Sequence, residues 1–249
     1  MKPAEGEYEP LKLEKKIDEY WKENKIFEKY LKKDGKKWYW LDGPPFTSGE
    51  VHIGTALNKV IKDTVLRYMT MKGYAPRRQP GWDMHGLPIE VRVESELKIK
   101  NKKDIENKIG VDIFIDKCKE FALRNLRRMQ EQFINLGVWM DWDNPYMTIN
   151  KDYMEAEWWS FKRAWEKDLL AKDLRVIHWC PRCETALAEH EIRGEYRMVK
   201  DPSVFVKFKL KNKENEYILI WTTTPWTLPA NIAVCVHPDF MYAKLKVDF

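Results

Sequence analysis

Trp38-Tyr39-Trp40-Leu41-Asp42-Gly43-Pro44-Pro45-Phe46-Thr47-Ser48-Gly49-Glu50-Val51-His52-Ile53-Gly54-Thr55 is the stretch whose reading decides the fold. Its aromatic first part, Lys36 to Leu41, has the composition of a strand. Gly43-Pro44-Pro45 stops that strand. After His52, the residues Leu57, Val60, Ile61, Val65, Tyr68 and Met69 recur at steps of three and four. This is the pattern of an amphipathic helix, and Gly73 closes it. A strand, a close-approaching loop and a helix N-terminus with free N–H groups together make the local geometry of a phosphate site. Pro44 and Pro45 stiffen the loop, and Gly49 lets it turn tightly. His52 can donate to a phosphate oxygen, Gly54 leaves room for a flat ring such as adenine, and Thr55 adds a hydroxyl. The same residues also read as a plain helix cap.

Outward from this stretch the chain alternates helix and strand. Residues 11–31 read as one amphipathic helix with Leu13, Ile17, Tyr20, Trp21 and Phe27 near one face. Ala75 to Gln79 reads as a second short strand, stopped by Pro80-Gly81. Ile89 to Ile99 reads as a helix with Pro88 in its first turn. The Lys/Asn-rich segment 98–108 reads as an exposed loop. A long helix is expected over 113–136 with Gly137 as C-cap, then a turn at Asp143-Asn144-Pro145 and a helix over 151–170. Near residue 172 the character changes. Leu174–Trp179, Val204–Leu210, Tyr217–Trp221, Ile232–Val236 and Tyr242–Val247 all read as strands. The expectation is therefore an α/β part followed by a β-rich part, with the boundary near Gly194.

Composition sets only wide bounds. The 249 residues, 44% of them hydrophobic, suffice for a real core and argue against wholesale disorder. A net charge of +5 permits an anionic partner such as a nucleotide or RNA and carries little weight alone. The charged N-terminus lacks a secretory h-region, and no apolar run reaches membrane-spanning length. A cytoplasmic, reduced protein is the simplest reading. In that setting Cys180-Pro181-Arg182-Cys183 points to a metal or redox pair ahead of a structural disulfide.

Three further sites carry chemistry. In Pro80-Gly81-Trp82-Asp83-Met84-His85-Gly86 a carboxylate stands between two apolar side chains, where it can pair with an ammonium in an apolar pocket. It also reads as a turn with Asp83 as a helix cap. The Cys180/Cys183 pair supplies two of the four thiolates or imidazoles that tetrahedral zinc requires, with His190 a possible third ligand. A redox pair remains an alternative. Trp221-Thr222-Thr223-Thr224-Pro225-Trp226-Thr227-Leu228-Pro229-Ala230-Asn231 clusters hydroxyls that could hold a water against an ester carbonyl. It also reads as an ordinary edge strand. Arg124, Arg127 and Arg128 read as a solvated helix face.

Gly43 to Lys59 resembles the first signature of the class I aminoacyl-tRNA synthetases, the "HIGH" motif. It is closest to the isoleucine branch in its archaeal form. Thr55 stands where the pattern usually has its second histidine. Pro80 to Glu90 is similar to the loop whose aspartate binds the α-amino group in the isoleucine, valine and leucine enzymes. Its His85-Gly86-Leu87-Pro88-Ile89-Glu90 form matches the isoleucine branch. Trp179 to Glu191 looks like the zinc segment of that branch, and Thr222 to Asn231 like the threonine-rich strand of its editing pocket.

The resemblance implies an α/β class I Rossmann-type catalytic domain, its first half at 1–194, followed by the start of a β-rich editing insertion at 195–249. It implies isoleucine activation with Mg2+ and ATP, transfer to tRNA(Ile), and hydrolytic editing. His52 and Thr55 would be catalytic. Gly43, Pro44, His52, Gly54, Thr55 and His85 would bind ATP or adenylate, and Pro45, Phe46, Trp82 and Asp83 the amino acid. Thr222, Thr223, Thr224, Trp226, Thr227 and Asn231 would serve editing, and Cys180 and Cys183 would hold Zn2+. The "KMSKS" loop and a second cysteine pair do not occur in these residues. The expectation is therefore an N-terminal piece, inactive alone, of a monomeric cytoplasmic enzyme. Valyl- or leucyl-tRNA synthetase, or a non-catalytic paralogue that binds tRNA or nucleotide, are the rival readings.

Overall fold

The computed structural model describes residues 9–194 and 196–246, with the side chain of His190 outside the described set. The chain divides into two units, Met1–Leu187 and Ala188–Phe249.

In the first unit, β1 (Lys36–Trp38) and β2 (Tyr74–Pro76) pair in parallel, joined by the helix α3 (Ile53–Met71). This is a βαβ crossover, the building block of a Rossmann-type sheet. A second parallel pair joins β3 (Gly81–Trp82) to β4 (Tyr146–Met147), with α4 (Leu87–Glu96) and α5 (Val111–Asn135) between them. Gly81 was expected to stop a strand and instead starts one. A Cβ at this position would drive into the ring of Tyr146, so glycine is what permits the close pairing. Upstream, the expected single helix over 11–31 is two, α1 (Pro10–Glu23) and α2 (Ile26–Leu31). The break falls at Lys25, which adopts a left-handed conformation (φ 49°). Trp21, Phe27 and Tyr30 then fasten this pair of helices onto Trp139, with ring centroids 4.8–5.9 Å apart.

The core is built mainly by α5 and α4 around Trp82. Phe114, Phe121, Leu126, Met129 and Phe133 of α5 are buried, as are Ile89 and Val93 of α4. The rings of Trp82, Phe133 and Trp142 lie within 5.9–6.2 Å of one another. The segment 98–108 is not a plain exposed loop. Ile99 and Ile105 anchor it to the core, and a π-helical turn spans Ile105–Ile109.

Helix α3 departs most from its hydrophobic pattern. The stripe expected inside is largely outside: Leu57, Val60, Ile61, Val65 and Tyr68 are exposed, while Lys59, Asp63, Leu66 and Thr70 are buried. Polar partners decide this. Lys59 pairs with Asp42, Asp63 accepts from the Trp139 N–H at 3.0 Å, and Thr70 accepts from Arg78 at 2.8 Å. Buried polar groups with partners in place pay little for leaving water. The helix α6 (Lys151–Glu166) follows the expected position, shortened by four residues, and leaves Trp158, Trp159, Phe161 and Trp165 exposed.

From residue 172 on, strand content is lower than expected. Of the Leu174–Trp179 expectation only His178 and Trp179 are paired; with Cys180 they make β5 (His178–Cys180), which forms a hairpin with β6 (Thr185–Leu187). The second unit contains a short helix α7 (Glu189–Ile192) and the antiparallel hairpin β7 (Val204–Lys209) with β8 (Tyr217–Thr222). Residues 232–236 and 242–246 form no strand, and Val247 lies outside the described residues. The alternating apolar pattern is present there, but no described strand lies alongside to complete a ladder.

Candidate active site

The loop after β1 is tied to both of its neighbours. Asp83 N–H donates to the Pro45 carbonyl at 2.9 Å, and Thr47 N–H donates to the Asp83 carbonyl at 3.0 Å. Phe46 and Asp83 thus form a parallel β-bridge. Further along, Val51 N–H donates to Gln132 Oε1 at 2.8 Å, and Glu50 pairs with Arg128, both partners on α5. The loop reaches α3 already fixed at two points.

His52 is the N-cap of α3. Its Nδ1 accepts the Thr55 N–H at 3.3 Å, while Nε2 lies 2.8 Å from Thr55 Oγ1. The first contact places the proton of a neutral imidazole on Nε2. Thr55 Oγ1 then accepts that proton, which leaves its own hydroxyl proton for another acceptor. Gly54 lies under the same ring, and a Cβ there would stand 3.2 Å from Cε1 and Nδ1 of His52. Gly43 is held from the other side, its carbonyl accepting from Lys62 Nζ at 2.9 Å.

Asp83 is half-buried, beside the Pro45-Phe46 edge. Burial pushes its carboxyl above the usual range, against the backbone N–H of His85, the His85 ring and the N–H of Met84, which pull it down. The next turn is pinned by Met84 N–H, which donates to Thr148 Oγ1 at 2.9 Å. His85 is exposed. Trp82 is fully buried, and its Nε1 has no hydrogen-bond partner among the described residues.

A stability prediction follows from the Asp83 shift. A raised native carboxyl favours the neutral form, so its ionisation opposes folding once pH exceeds the unfolded value, about 3.9. Asp83→Asn is expected to be more stable than wild type at pH 7, with the gap closing as pH falls below about 4. Urea melts at pH 7 and pH 3.5 check this, and a gap that widens in acid would contradict it.

The cysteine pair forms a tight turn: Cys183 N–H donates to Cys180 Sγ at 3.4 Å. That bond holds the Cys180 thiol below its usual range, while burial pushes Cys183 up. Two thiolates fit two positions of a tetrahedral zinc set. Among the described residues no group of three or more His, Cys, Asp or Glu could hold a metal ion. The side chain of His190 lies outside them. Arg182, between the cysteines, donates to the buried carboxylate of Glu94 at 2.5 Å. In the second unit Thr222 ends β8, with its Oγ1 accepting from Thr224 N at 3.0 Å. Trp226 and Thr227 sit on a 3-10 helix, Pro225–Ala230, and Thr227 Oγ1 donates to the Thr224 carbonyl at 2.8 Å. Thr223 and Asn231 are exposed. The run is therefore a strand end and a turn, where an edge strand was the plain alternative.

Several structural residues escaped the sequence. Lys59, Lys62 and Asp42 were given no role by the sequence reading, and the fold buries Asp42 and Lys59 together. A carboxylate just before Gly-Pro-Pro, with two lysines three residues apart in the next helix, was the available signal.

Comparison with known proteins shows the family. The family tRNA synthetases class I (I, L, M and V) matches residues 16–234. The chain is 65% identical over 249 residues to an isoleucine--tRNA ligase of Pyrococcus abyssi, covering 99% of this chain and 23% of that protein. It is 63% identical over 239 residues to the isoleucine--tRNA ligase of Methanocaldococcus jannaschii, covering 95% of this chain and again 23% of the relative. A solved ternary complex of the Agrobacterium radiobacter K84 LeuRS with tRNA and LeuAMS is similar at TM-score 0.53 and 26% identity, over 75% of this chain and 21% of that one. The chain thus spans about a quarter of the length of the curated relatives it matches. On the βαβ unit, the His52 cap, the Asp83 bridge and the match over 16–234, the chain belongs to the class I tRNA synthetases of the isoleucine, leucine, methionine and valine group.

Proposed function

We propose that this chain forms the nucleotide- and amino-acid-binding part of an isoleucine--tRNA ligase. The observation that carries the reading is the Phe46–Asp83 bridge, which sets a half-buried carboxylate beside an apolar edge and next to the loop leading to His52. An α-amino acid needs a carboxylate for its ammonium and an apolar wall for its side chain. Asp83 supplies the first; Pro45 and Phe46, backed by Trp82, supply the second. The isoleucine specificity is supported by the 65% identity to isoleucine--tRNA ligases, against 26% to the leucine enzyme.

In the proposed chemistry the isoleucine carboxylate attacks the α-phosphate of ATP, and pyrophosphate leaves. A tRNA(Ile) ribose hydroxyl then takes the acyl group from the adenylate, and AMP leaves. Neither step needs a covalent bond to the protein, so catalysis is by positioning and by stabilising charge on phosphate oxygens. His52 holds the Thr55 hydroxyl so that its proton points to the phosphates. Gly43, Pro44 and Gly54 let the nucleotide approach the backbone, and His85 is a neighbour for the adenylate. Mg2+ accompanies ATP as part of the substrate. Cys180 and Cys183 would contribute two ligands to a structural zinc.

Editing is the finer part of the proposal. One missing methylene is a weak basis for rejecting valine, a limit for which this family is the usual illustration. Thr222, Thr223, Thr224, Trp226, Thr227 and Asn231 would line part of a hydrolytic second site, in a domain beginning near residue 195. The protein would work in the cytoplasm; no described helix is long and apolar enough to cross a membrane.

Isoleucine-dependent ATP–pyrophosphate exchange by the protein at its natural length tests the reading. Exchange with isoleucine preferred over valine and leucine is expected; valine as the preferred substrate would overturn it. His52→Asn keeps a capping side chain and loses the imidazole. With the Thr55 hydroxyl no longer held in place, kcat for exchange is expected to fall by about 100-fold, the usual size for one lost charge-stabilising donor, with KM for isoleucine within about twofold.

A further inference from the structure

The site described so far has two halves, the loop that leads to His52 and the loop that carries Asp83. One buried carboxylate holds both. The Asp42 side chain is inaccessible to solvent. Its Oδ2 accepts from Lys59 Nζ and from the Gly81 N–H at 3.0 Å; its Oδ1 accepts from Lys62 Nζ at 2.8 Å. Its backbone carbonyl accepts from Tyr146 Oη. Asp42 directly precedes Gly43-Pro44, Lys59 and Lys62 lie two and three turns into the helix that His52 caps, and Gly81 is two residues before Asp83. Lys62 also donates to the Gly43 carbonyl at 2.9 Å.

Lys59 is as deeply buried as its partner, with its ammonium 5.9 Å from the Trp82 ring centre and 5.5 Å from that of Phe133. Burial pushes its ammonium below the usual lysine range, and Asp42 opposes this. Apolar residues could fill such a core at lower desolvation cost. A paired charge fixes direction as well as distance, since each of its hydrogen bonds has a required line. The network therefore specifies how α3 and the 42–45 loop sit against β3, a relation that apolar packing would leave looser.

We infer that Asp42, with Lys59 and Lys62, is a positioning centre that couples ATP binding to amino-acid binding. The inference rests on the proposed function, because it takes the two loops as the ATP and amino-acid sites. Each loop keeps its own contacts when the network is weakened: His52 still caps α3, and Asp83 still bridges to Phe46. What changes is their relative placement. The readout is accordingly the mutual effect of the two ligands, which a purely structural role would not move.

The test measures binding of a non-hydrolysable ATP analogue and of isoleucinol, separately and together, in the protein at its natural length. In wild type each ligand is expected to tighten the other by about tenfold. Lys62→Met is partly exposed and keeps the Asp42–Lys59 pair, so the variant should fold. It is expected to reduce the mutual effect to about twofold, with each separate affinity within about twofold of wild type, and Lys62→Arg is expected to restore most of it. Lys59→Met should remove the effect altogether if it folds; Lys62→Met carries the test if it does not. Wild-type coupling retained in folded Lys62→Met, or no coupling in wild type, overturns the inference while leaving the two binding sites standing. A wild-type protein that binds neither ligand overturns the proposed function and this inference together.

Discussion

Replacing Asp83 by Asn is expected to lower kcat/KM for isoleucine in pyrophosphate exchange by about 100- to 1,000-fold, or roughly 3–4 kcal/mol. Asn keeps the shape of the side chain, so the loop should survive: the bonds to Pro45 and Thr47 are made by the Asp83 backbone. What is lost is the negative charge that the proposed function sets opposite the substrate ammonium. In water that charge would be worth little, but Asp83 is half-buried and flanked by apolar residues, where screening is weaker. The KM for ATP should stay within about threefold, because the proposed nucleotide contacts lie at His52 and the 43–44 loop. Steady-state exchange with isoleucine and ATP varied in turn makes the distinction. A loss confined to the ATP term, or a variant as active as wild type, would remove Asp83 from the amino-acid site. The same substitution is expected to gain stability at neutral pH. Activity and stability should therefore move in opposite directions, which unfolding of the variant could not mimic.

The largest stability effect is expected at Trp82. Trp82→Ala should cost about 3–5 kcal/mol, with a fall in Tm on the order of 10 °C. The ring is fully buried and packs against Phe133 and Trp142, both of them core residues as well. Alanine would leave a cavity that two large neighbouring rings, one stacked on the other at 5.9 Å, cannot readily close. It would also uncover one side of the Lys59 ammonium. Thermal unfolding followed by near-ultraviolet circular dichroism checks this, and a Tm within 2–3 °C of wild type, under about 1 kcal/mol, would show that the core relaxes around the gap. Trp82→Phe should recover much of the loss, since it restores most of the volume and leaves no indole N–H to bury.

The two predictions separate roles that adjacent residues share in sequence. Trp82 ends β3 and Asp83 follows it in the bridge to Phe46; the first is fully buried in the core and the second is half-buried at the proposed site. Nothing in Gly81-Trp82-Asp83-Met84 read alone distinguishes a wall of the pocket from the packing behind it.

Local signals determined a good deal. The alternation of strand, Pro/Gly loop and periodic helix was enough to place α3, α4 and α5 to within a few residues. Gly73 and Gly137, with φ of 85° and 75°, end their helices where the expected left-handed caps required glycine. The cap of α3 and the short motifs were legible because chemistry bound to a short span needs its residue types at fixed spacing. The motif His52-Ile53-Gly54-Thr55, the Asp83 loop and the Cys180/Cys183 pair are all of this kind.

Tertiary structure alone decided which face of a helix is inside and which extended segments become strands. The apolar stripe of α3 forecast the wrong face because periodicity records hydrophobicity, and here partners for Lys59, Asp63 and Thr70 wait on distant segments, at Asp42, Trp139 and Arg78. Residues 232–236 and 242–246 have the alternation of strands without a described neighbour to complete their hydrogen bonds. Asp42 had no visible role until the fold brought Lys59, Lys62 and Gly81 to it from across 17 to 39 residues of chain. A sequence fixes what a residue can offer over one turn or one strand; the value of a buried charge depends on which distant groups the fold sets beside it.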